Sequence, residues 1–214
     1  MQRRHFNLTA LASLAVLGPL AGCGRQAEAP VATTGPAAAP ASAPATEAAA
    51  PASAAAPAAA QNVYTLAAGA SGFSIGPMMS AHTVYVFFDP TCPHCAHLWA
   101  NAQSVTKQLK LVWIPIGFLR PQSEPMAATI LSARDPVAAM TENETSVASQ
   151  GKGITPASPL DEAAVAKVKA NTELFNKFNA DSVPLIVYRN GKTGEVGQHS
   201  GSVEGAQLLA FAGL

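Results

Sequence analysis

The chain has 214 residues, 49% of them apolar and 12% charged, and its 13 basic and 13 acidic side chains cancel to zero net charge. A neutral chain lacks the basic stripe that neutralises phosphates, which excludes a nucleic-acid partner and a polybasic membrane-surface protein. Three cysteines are too few for the disulfide framework that staples small secreted domains.

At the N-terminus, Arg3-Arg4 precedes an apolar run from Leu8 to Leu20. The run is shorter than the roughly 20 residues a membrane-spanning helix needs, and residues 1–23 read as an export signal. It ends in Leu20-Ala21-Gly22-Cys23, which resembles the bacterial lipoprotein cleavage box. That resemblance implies lipidation at Cys23. Arg3-Arg4-His5-Phe6 is similar to a twin-arginine signal, so both export routes stay open. Residues 24–61 read as a tether. From Gln26 to Gln61, 19 of 36 residues are Ala and 6 are Pro, and no aromatic residue is present. Such a segment cannot bury enough apolar surface to offset its ordering entropy. Proline interrupts the helix that alanine favours, leaving a semi-extended tether with an upper reach on the order of 110 Å at about 3.1 Å per residue.

The folded part is expected over residues 62–214. Thr83 to Phe88 is a β-branched and aromatic run without polar alternation, which predicts a strand buried on both faces. Helical spacing of Leu98, Trp99, Ala102, Val105 and Leu109 predicts a helix from Cys95 to Lys110. Leu111 to Gly117 predicts the next strand, closing a right-handed βαβ unit with a parallel pair. Pro121 to Ala180 reads as mostly helical. Asp135-Pro136 marks one start and Ser158-Pro159-Leu160-Asp161 another, with a loop at Thr145 to Ser158. Leu160, Ala164, Val168, Phe175 and Phe178 are placed on one face. Pro184 to Tyr188 predicts a third strand, Asn190-Gly191 a hairpin turn, Glu195 to Ser200 a fourth strand and Val203 to Gly213 a closing helix. The order gives an α/β domain with a helical insertion between βαβ and ββα halves.

Cys92-Pro93-His94-Cys95 stands at the first strand-to-helix junction. A cysteine at a helix N-terminus is favoured as thiolate by the macrodipole and free N–H groups. Cys95 lies deeper, so Cys92 reads as the attacking thiolate and Cys95 as the resolving thiol. His94, if protonated, adds positive charge near the Cys92 sulfur; with Pro93 it forms the dipeptide that tunes the pair. No cofactor is required. A zinc site would need a second Cys/His pair, and the folded part has no other cysteine. A copper-carrying site recruiting His199, or a chaperone-like module without catalysis, stays open as an alternative. His97 reads as a solvated helix residue. Pro184 at the start of a buried strand removes a ladder donor, which is sensible if the Val183–Pro184 peptide is cis and faces a functional surface.

Phe88-Asp89-Pro90-x-Cys92-Pro93-x-Cys95, Trp99, Ile116 to Pro121, Ala127 to Pro136 and Val183-Pro184 together span most of the folded part. On these residues it resembles the catalytic domain of the DsbC/DsbG group of periplasmic disulfide interchange proteins, nearest the DsbG branch. The resemblance implies a thioredoxin-like fold, a thiol:disulfide oxidoreductase, Cys92 as nucleophile and Cys95 as resolving cysteine. It implies that the Val183 backbone beside cis-Pro184 pairs with an extended substrate segment. It further implies protein substrates with free or oxidised cysteines, a membrane redox partner and a periplasmic location, where the lipoprotein-type box implies a lipid anchor at Cys23. The chain departs from the group in three ways. An Ala/Pro tether stands where the group carries a dimerisation domain, so a monomer is expected. Val183 replaces the usual threonine. Pro93-His94 is the dipeptide of the DsbA type, as Val183 is. The last two lean the poise toward oxidation, and oxidase, isomerase and reductase directions all remain open.

Overall fold

The computed structural model of the protein describes residues 63–214. The signal, Cys23 and the tether lie outside the described residues. A short helix over residues 63–68 is followed by β1 (Phe73–Ile75), β2 (Thr83–Phe88), α1 (Pro93–Ala102) and β3 (Lys110–Pro115). Then come α2 (Ser123–Ser132), α3 (Pro136–Ala148), α4 (Glu162–Lys177), β4 (Leu185–Arg189), β5 (Val196–Ser200) and α5 (Gly205–Ala212). The five strands form one sheet in the order β1-β3-β2-β4-β5. Only β2 and β3 pair in parallel, with Val84 opposite Leu111 and Phe88 opposite Pro115. β4 runs antiparallel to β2, and β5 to β4. The expected frame, βαβ and ββα joined by a helical insertion, is the one observed.

β2 is central because both of its faces are apolar. Val84, Val86, Phe87 and Phe88 are completely buried. Successive side chains of a strand point to opposite faces, so Phe87 and Phe88 seed two aromatic clusters. Phe88 packs edge-on against Trp113 at 5.8 Å between ring centroids, and Trp113 against Trp99 of α1 at 5.0 Å. On the other face Phe87 meets Phe178 at 5.5 Å and Phe175 of α4 at 6.3 Å. Edge-to-face geometry of this kind is favoured by the ring quadrupoles. The carboxyl end of β2 therefore sits in a rigid seat, and the residues that follow inherit its position.

Several boundaries differ from the sequence expectation for local reasons. α1 begins at Pro93 and stops at Ala102, with a 3-10 turn over Gln103–Val105, instead of running to Lys110. Ser104 Oγ donates to the Asn101 carbonyl (2.7 Å), Gln103 Nε2 to Trp99 (3.1 Å) and Thr106 Oγ1 to Gln103 (3.0 Å). These side chains offer the backbone alternatives to continued helix. α3 runs through Thr145 to Ala148, where a loop is expected, because Val147 continues its buried stripe. α4 is capped by Asp161 rather than Ser158. The Asp161 carboxylate accepts from the N–H groups of Ala163 (2.8 Å) and Ala164 (3.1 Å), which leaves Leu160 outside the helix. Asp135 caps α3 as expected, accepting from Ala138 N–H at 3.0 Å. Asn190-Gly191 opens a six-residue loop, Asn190 to Glu195, not a two-residue turn. The Asn190 side chain accepts from the N–H groups of Lys192 and Thr193, and the left-handed residue is Gly194 at φ 73°. β1 is absent from the sequence reading because three residues carry no usable periodicity.

Candidate active site

Cys92 is the N-cap residue of α1, with Pro93 in the first turn. Its backbone N–H donates to the Asp89 carbonyl (3.0 Å), and its own carbonyl accepts from Cys95 (3.1 Å) and Ala96 (3.2 Å). The turn between β2 and α1 is thus fully tied. Both thiols are free. The Val183–Pro184 peptide is cis, and the Cys92 thiol donates to the Val183 carbonyl at 3.5 Å. The structure therefore brings together Cys92, Pro93, His94, Cys95, Val183 and Pro184. The two residues differ little in overall exposure, at 3% for Cys92 and 0% for Cys95. Spacing alone predicts a larger contrast. The Val183 carbonyl lies against the Cys92 sulfur, so the asymmetry between the thiols rests on hydrogen bonding at Cys92 and on desolvation at Cys95.

That asymmetry is strong. The Cys92 pKa is lowered from 9.0 to about 7, first by the hydrogen bond from the Cys95 thiol and then by the backbone N–H groups of Cys95 and His94. Burial and the negative charge of Asp89 oppose the shift. His94 thus acts on the sulfur through its backbone N–H. Its ring is exposed and lies 6.3 Å from that of His97. Cys95 moves the other way. Burial pushes its pKa well above 9.0, aided by the hydrogen bond to Cys92, the Cys92 charge and Glu144. At neutral pH one sulfur is substantially thiolate and its neighbour is a thiol. Among the described residues, no three His, Cys, Asp or Glu side chains cluster to hold a metal ion.

Two carboxylates complete the site, and the sequence reading assigns neither. Asp89 is completely buried yet fully partnered. Oδ1 accepts from Thr91 N–H (2.8 Å), Thr91 Oγ1 (2.7 Å) and Ser123 Oγ (2.8 Å); Oδ2 accepts from the N–H groups of Phe118 (2.9 Å) and Leu119 (2.8 Å). It locks the cysteine turn to the loop that follows β3. Glu144 is the opposite case. It is 1% exposed, Oε1 accepts from Asn143 Nδ2 at 3.1 Å, and Oε2 has no partner. Burial raises its pKa from 4.5 to about 8, and the charges of Cys92 and Asp89 add to the rise. Asn143 Nδ2 also donates to the Pro90 carbonyl at 2.8 Å, which anchors α3 under the cysteine turn. One signal could have found the pair. Met140, Asn143, Glu144 and Val147 follow the i, i+3, i+4, i+7 spacing of a buried helix face, with two polar residues in the middle.

A central mixed sheet with a thiol pair capping the helix after its middle strand defines a class: the chain belongs to the thioredoxin-like domain family, whose model matches residues 79–212. Within it, the chain is 30% identical over 132 residues to the thiol:disulfide interchange protein DsbG of Pseudomonas aeruginosa, covering 61% of this chain and 50% of that protein. It thus spans about half the length of that relative. Its fold is similar to the catalytic domain of Proteus mirabilis ScsC, with a TM-score of 0.56, 18% identity, and 72% and 93% of the two chains covered. It is also similar to a periplasmic thioredoxin-like protein of Salmonella enterica serovar Typhimurium, with a TM-score of 0.54, 19% identity, and 72% and 94% covered.

Proposed function

We propose that this chain is a cell-envelope thiol:disulfide oxidoreductase that exchanges disulfides with extended protein substrates through Cys92 and Cys95. The observation that carries the reading is the seat of the pair, with Cys92 as the N-cap of α1 and its thiol 3.5 Å from the Val183 carbonyl, and Cys95 fully buried one turn on. This seat drives the two thiol pKa values apart, down to about 7 at Cys92 and well up at Cys95. In the reducing direction the Cys92 thiolate attacks a substrate disulfide, forms a mixed disulfide and releases one substrate sulfur as thiolate. Cys95 then loses its proton and attacks the Cys92 sulfur. The substrate's second sulfur leaves as thiolate, and the pair is left oxidised by two electrons. In the oxidising direction the steps reverse. Cys95 is then a leaving group with a high pKa and needs a proton; we assign its supply to Glu144, the buried carboxyl whose charge acts on Cys95 and whose own pKa is raised to about 8, acting through one water. Val183 and Pro184 form the docking edge, a role supported by the 3.5 Å contact between the Val183 carbonyl and the Cys92 sulfur. Pro93 and His94 tune the pair.

The reading extends to a bacterial periplasmic location, tethered through lipidated Cys23 and the Ala/Pro segment. It includes a membrane partner that resets the pair, and a monomer. The sequence features at residues 1–61 and the periplasmic Salmonella relative of like fold support it. The decisive experiment is insulin-disulfide reduction and dithiol-peptide oxidation by the purified chain, with Cys92→Ser losing both. Full activity in that variant would overturn the proposal. Alkylation trapping in cells separates the directions: an oxidase is recovered with Cys92–Cys95 bonded, a reductase or isomerase with both thiols alkylated. Cys23→Ser is expected to release the chain from the membrane fraction.

A further inference from the structure

Beside the cysteine turn lies an open groove of about 560 Å³ between the loop after β3 and the loop after α3, within the range of ligand-binding clefts. The second loop is held in place at several points. Gly151 N–H donates to the Ser146 carbonyl (2.8 Å) and Gly153 N–H to Ser146 Oγ (3.2 Å). Ile154 N–H donates to Asn143 Oδ1 (3.0 Å) and Ala157 N–H to Thr129 Oγ1 (2.9 Å). Gly153 has φ 77°, and a Cβ there would collide with Asn143 Oδ1 and Met126 Cε. The backbone at this point comes as close as glycine permits. The groove is thus preformed rather than a gap between mobile loops.

Its charge is one-sided. Arg120 and Lys152 line it, and no acidic residue does. Neither cation is ion-paired: among the described residues the salt bridge is Lys169 to Glu124. The nearby Asp89 carboxylate is buried, with both oxygens engaged by the donors named above. No aromatic side chain lines the groove, so it offers bases nothing to stack on. Thr91 lines it as well, one residue from Cys92. Residues flanking a substrate cysteine captured at Cys92 therefore reach the groove within a few residues, at about 3.3–3.6 Å of extended chain each.

We propose that this groove binds an acidic stretch of polypeptide flanking the substrate cysteine, and so selects among protein substrates by charge. The inference rests on the exchange activity proposed above. Rim charges act mainly on encounter and are screened by salt. The test uses the pre-reduced chain and peptides with one disulfide flanked by Asp/Glu, by Ser/Gln or by Lys, and reads second-order rate constants. Acidic neighbours also alter a peptide's own thiol chemistry, so the decisive quantity is the change in the acidic-to-basic rate ratio on substitution. Arg120→Glu with Lys152→Glu is expected to lower that ratio by about tenfold or more at low salt. Arg120→Gln with Lys152→Gln is expected to lower it by less, and salt near about 0.5 M to compress the wild-type ratio. A ratio unmoved by both pairs of substitutions would overturn the proposal. Bis(2-hydroxyethyl) disulfide, neutral and too small to span the groove, is the control for the exchange reading. If the wild-type chain fails with it and also in the insulin and dithiol-peptide assays above, that reading falls. The groove is then judged by anisotropy of a cysteine-free acidic peptide, whose failure to bind more tightly than its basic counterpart would overturn it.

Discussion

The sheet frame and the helical insertion between β3 and β4 are built on different principles. The core of the frame is almost entirely apolar, with Val84, Val86, Phe87, Phe88, Leu111, Trp113 and Ile186 all at 0% exposure. Among the described residues, the buried polar side chains are Asp89, Thr91, Ser123, Asn143, Glu144 and Asn171. Four of these lie in the insertion, and the other two lie on the turn where the insertion packs against Cys92. Asn171 shows how they work. Its side chain donates to the carbonyls of Ser71 (2.8 Å) and Pro115 (3.0 Å) and accepts from Ser71 N–H (3.0 Å), joining α4 to the end of β3. Apolar burial is non-directional and fixes the fold. Buried hydrogen bonds are directional and fix the angles at which loops leave it. The cysteine turn sits where the two kinds of order meet.

The sharpest way to break this comparison is to remove one side of the thiol pair. Cys95→Ala takes away the resolving thiol but leaves the lowered Cys92, less its largest hydrogen-bond contribution. A mixed disulfide at Cys92 should then accumulate, visible on non-reducing gels and released by dithiothreitol, while turnover falls to background. Absence of the adduct would mean that Cys92 is not the sulfur that substrates meet. Asp89→Ala comes next. It leaves the N–H groups of Thr91, Phe118 and Leu119 without their acceptor. The expected loss is about 3–5 kcal/mol, read from the urea midpoint. Because the Asp89 charge raises the Cys92 pKa, the pH midpoint of Cys92 alkylation should also fall below about 7 in any folded population. A loss under about 1 kcal/mol would show that apolar packing alone holds the loop.

The difference between the two regions also explains what was legible in the sequence. β2, β3 and β4 could be read because apolar runs of that length admit few other fates, and β5, Val-Gly-Gln-His-Ser, only because Asn190-Gly191 announces a chain reversal before it. The placement of Cys92 and Cys95 was legible too, since a strand ending in Asp89-Pro90 brings the cysteines to a helix N-terminus. Glu144 was not legible as a site residue. A glutamate in a polar helical run, Thr141 to Ser146, looks like surface. Its place on the Met140–Val147 stripe hints at burial, but the docking of α3 on α1 is what shows the carboxylate buried with one oxygen unpartnered. Asp89 was read as the end of a strand because its five donors come from Thr91, Phe118, Leu119 and Ser123, most of them about 30 residues away.

The two regions should titrate with opposite sign. The folded pKa of Cys92 is depressed from 9.0 to about 7, so its contribution to the stability of the reduced chain is complete above about 9 and is lost as pH falls through about 7. The folded pKa of Glu144 is raised from 4.5 to about 8. Its neutral form is compatible with burial, so the penalty is absent below about 4.5, accumulates as pH rises to about 8, and levels off above it. Glu144→Gln removes the titration. The variant should match the wild type near pH 4.5 and gain on it progressively toward pH 9, measured by denaturation at each pH with both thiols kept reduced. Parallel stability profiles would mean that the Glu144 carboxylate finds solvent or a partner in the folded chain.

The smallest effect is expected at the surface of the insertion. Lys169 and Glu124 join α4 to α2 at 3.8 Å, with side chains 60% and 39% exposed. A pair so open to water gains little from Coulomb attraction and loses rotamer entropy in both long side chains. If α2 and α4 are instead held by the small apolar contact of Ala127, Ala128, Ala164 and Val168, then Lys169→Ala should cost no more than about 0.5 kcal/mol, and the cost should shrink further in high salt. Ala128→Ser, which places a hydroxyl in that dry contact, should cost more than the lost ion pair. Reversal of that order would show that the insertion is fastened from outside, and would return the buried polar groups to a secondary role.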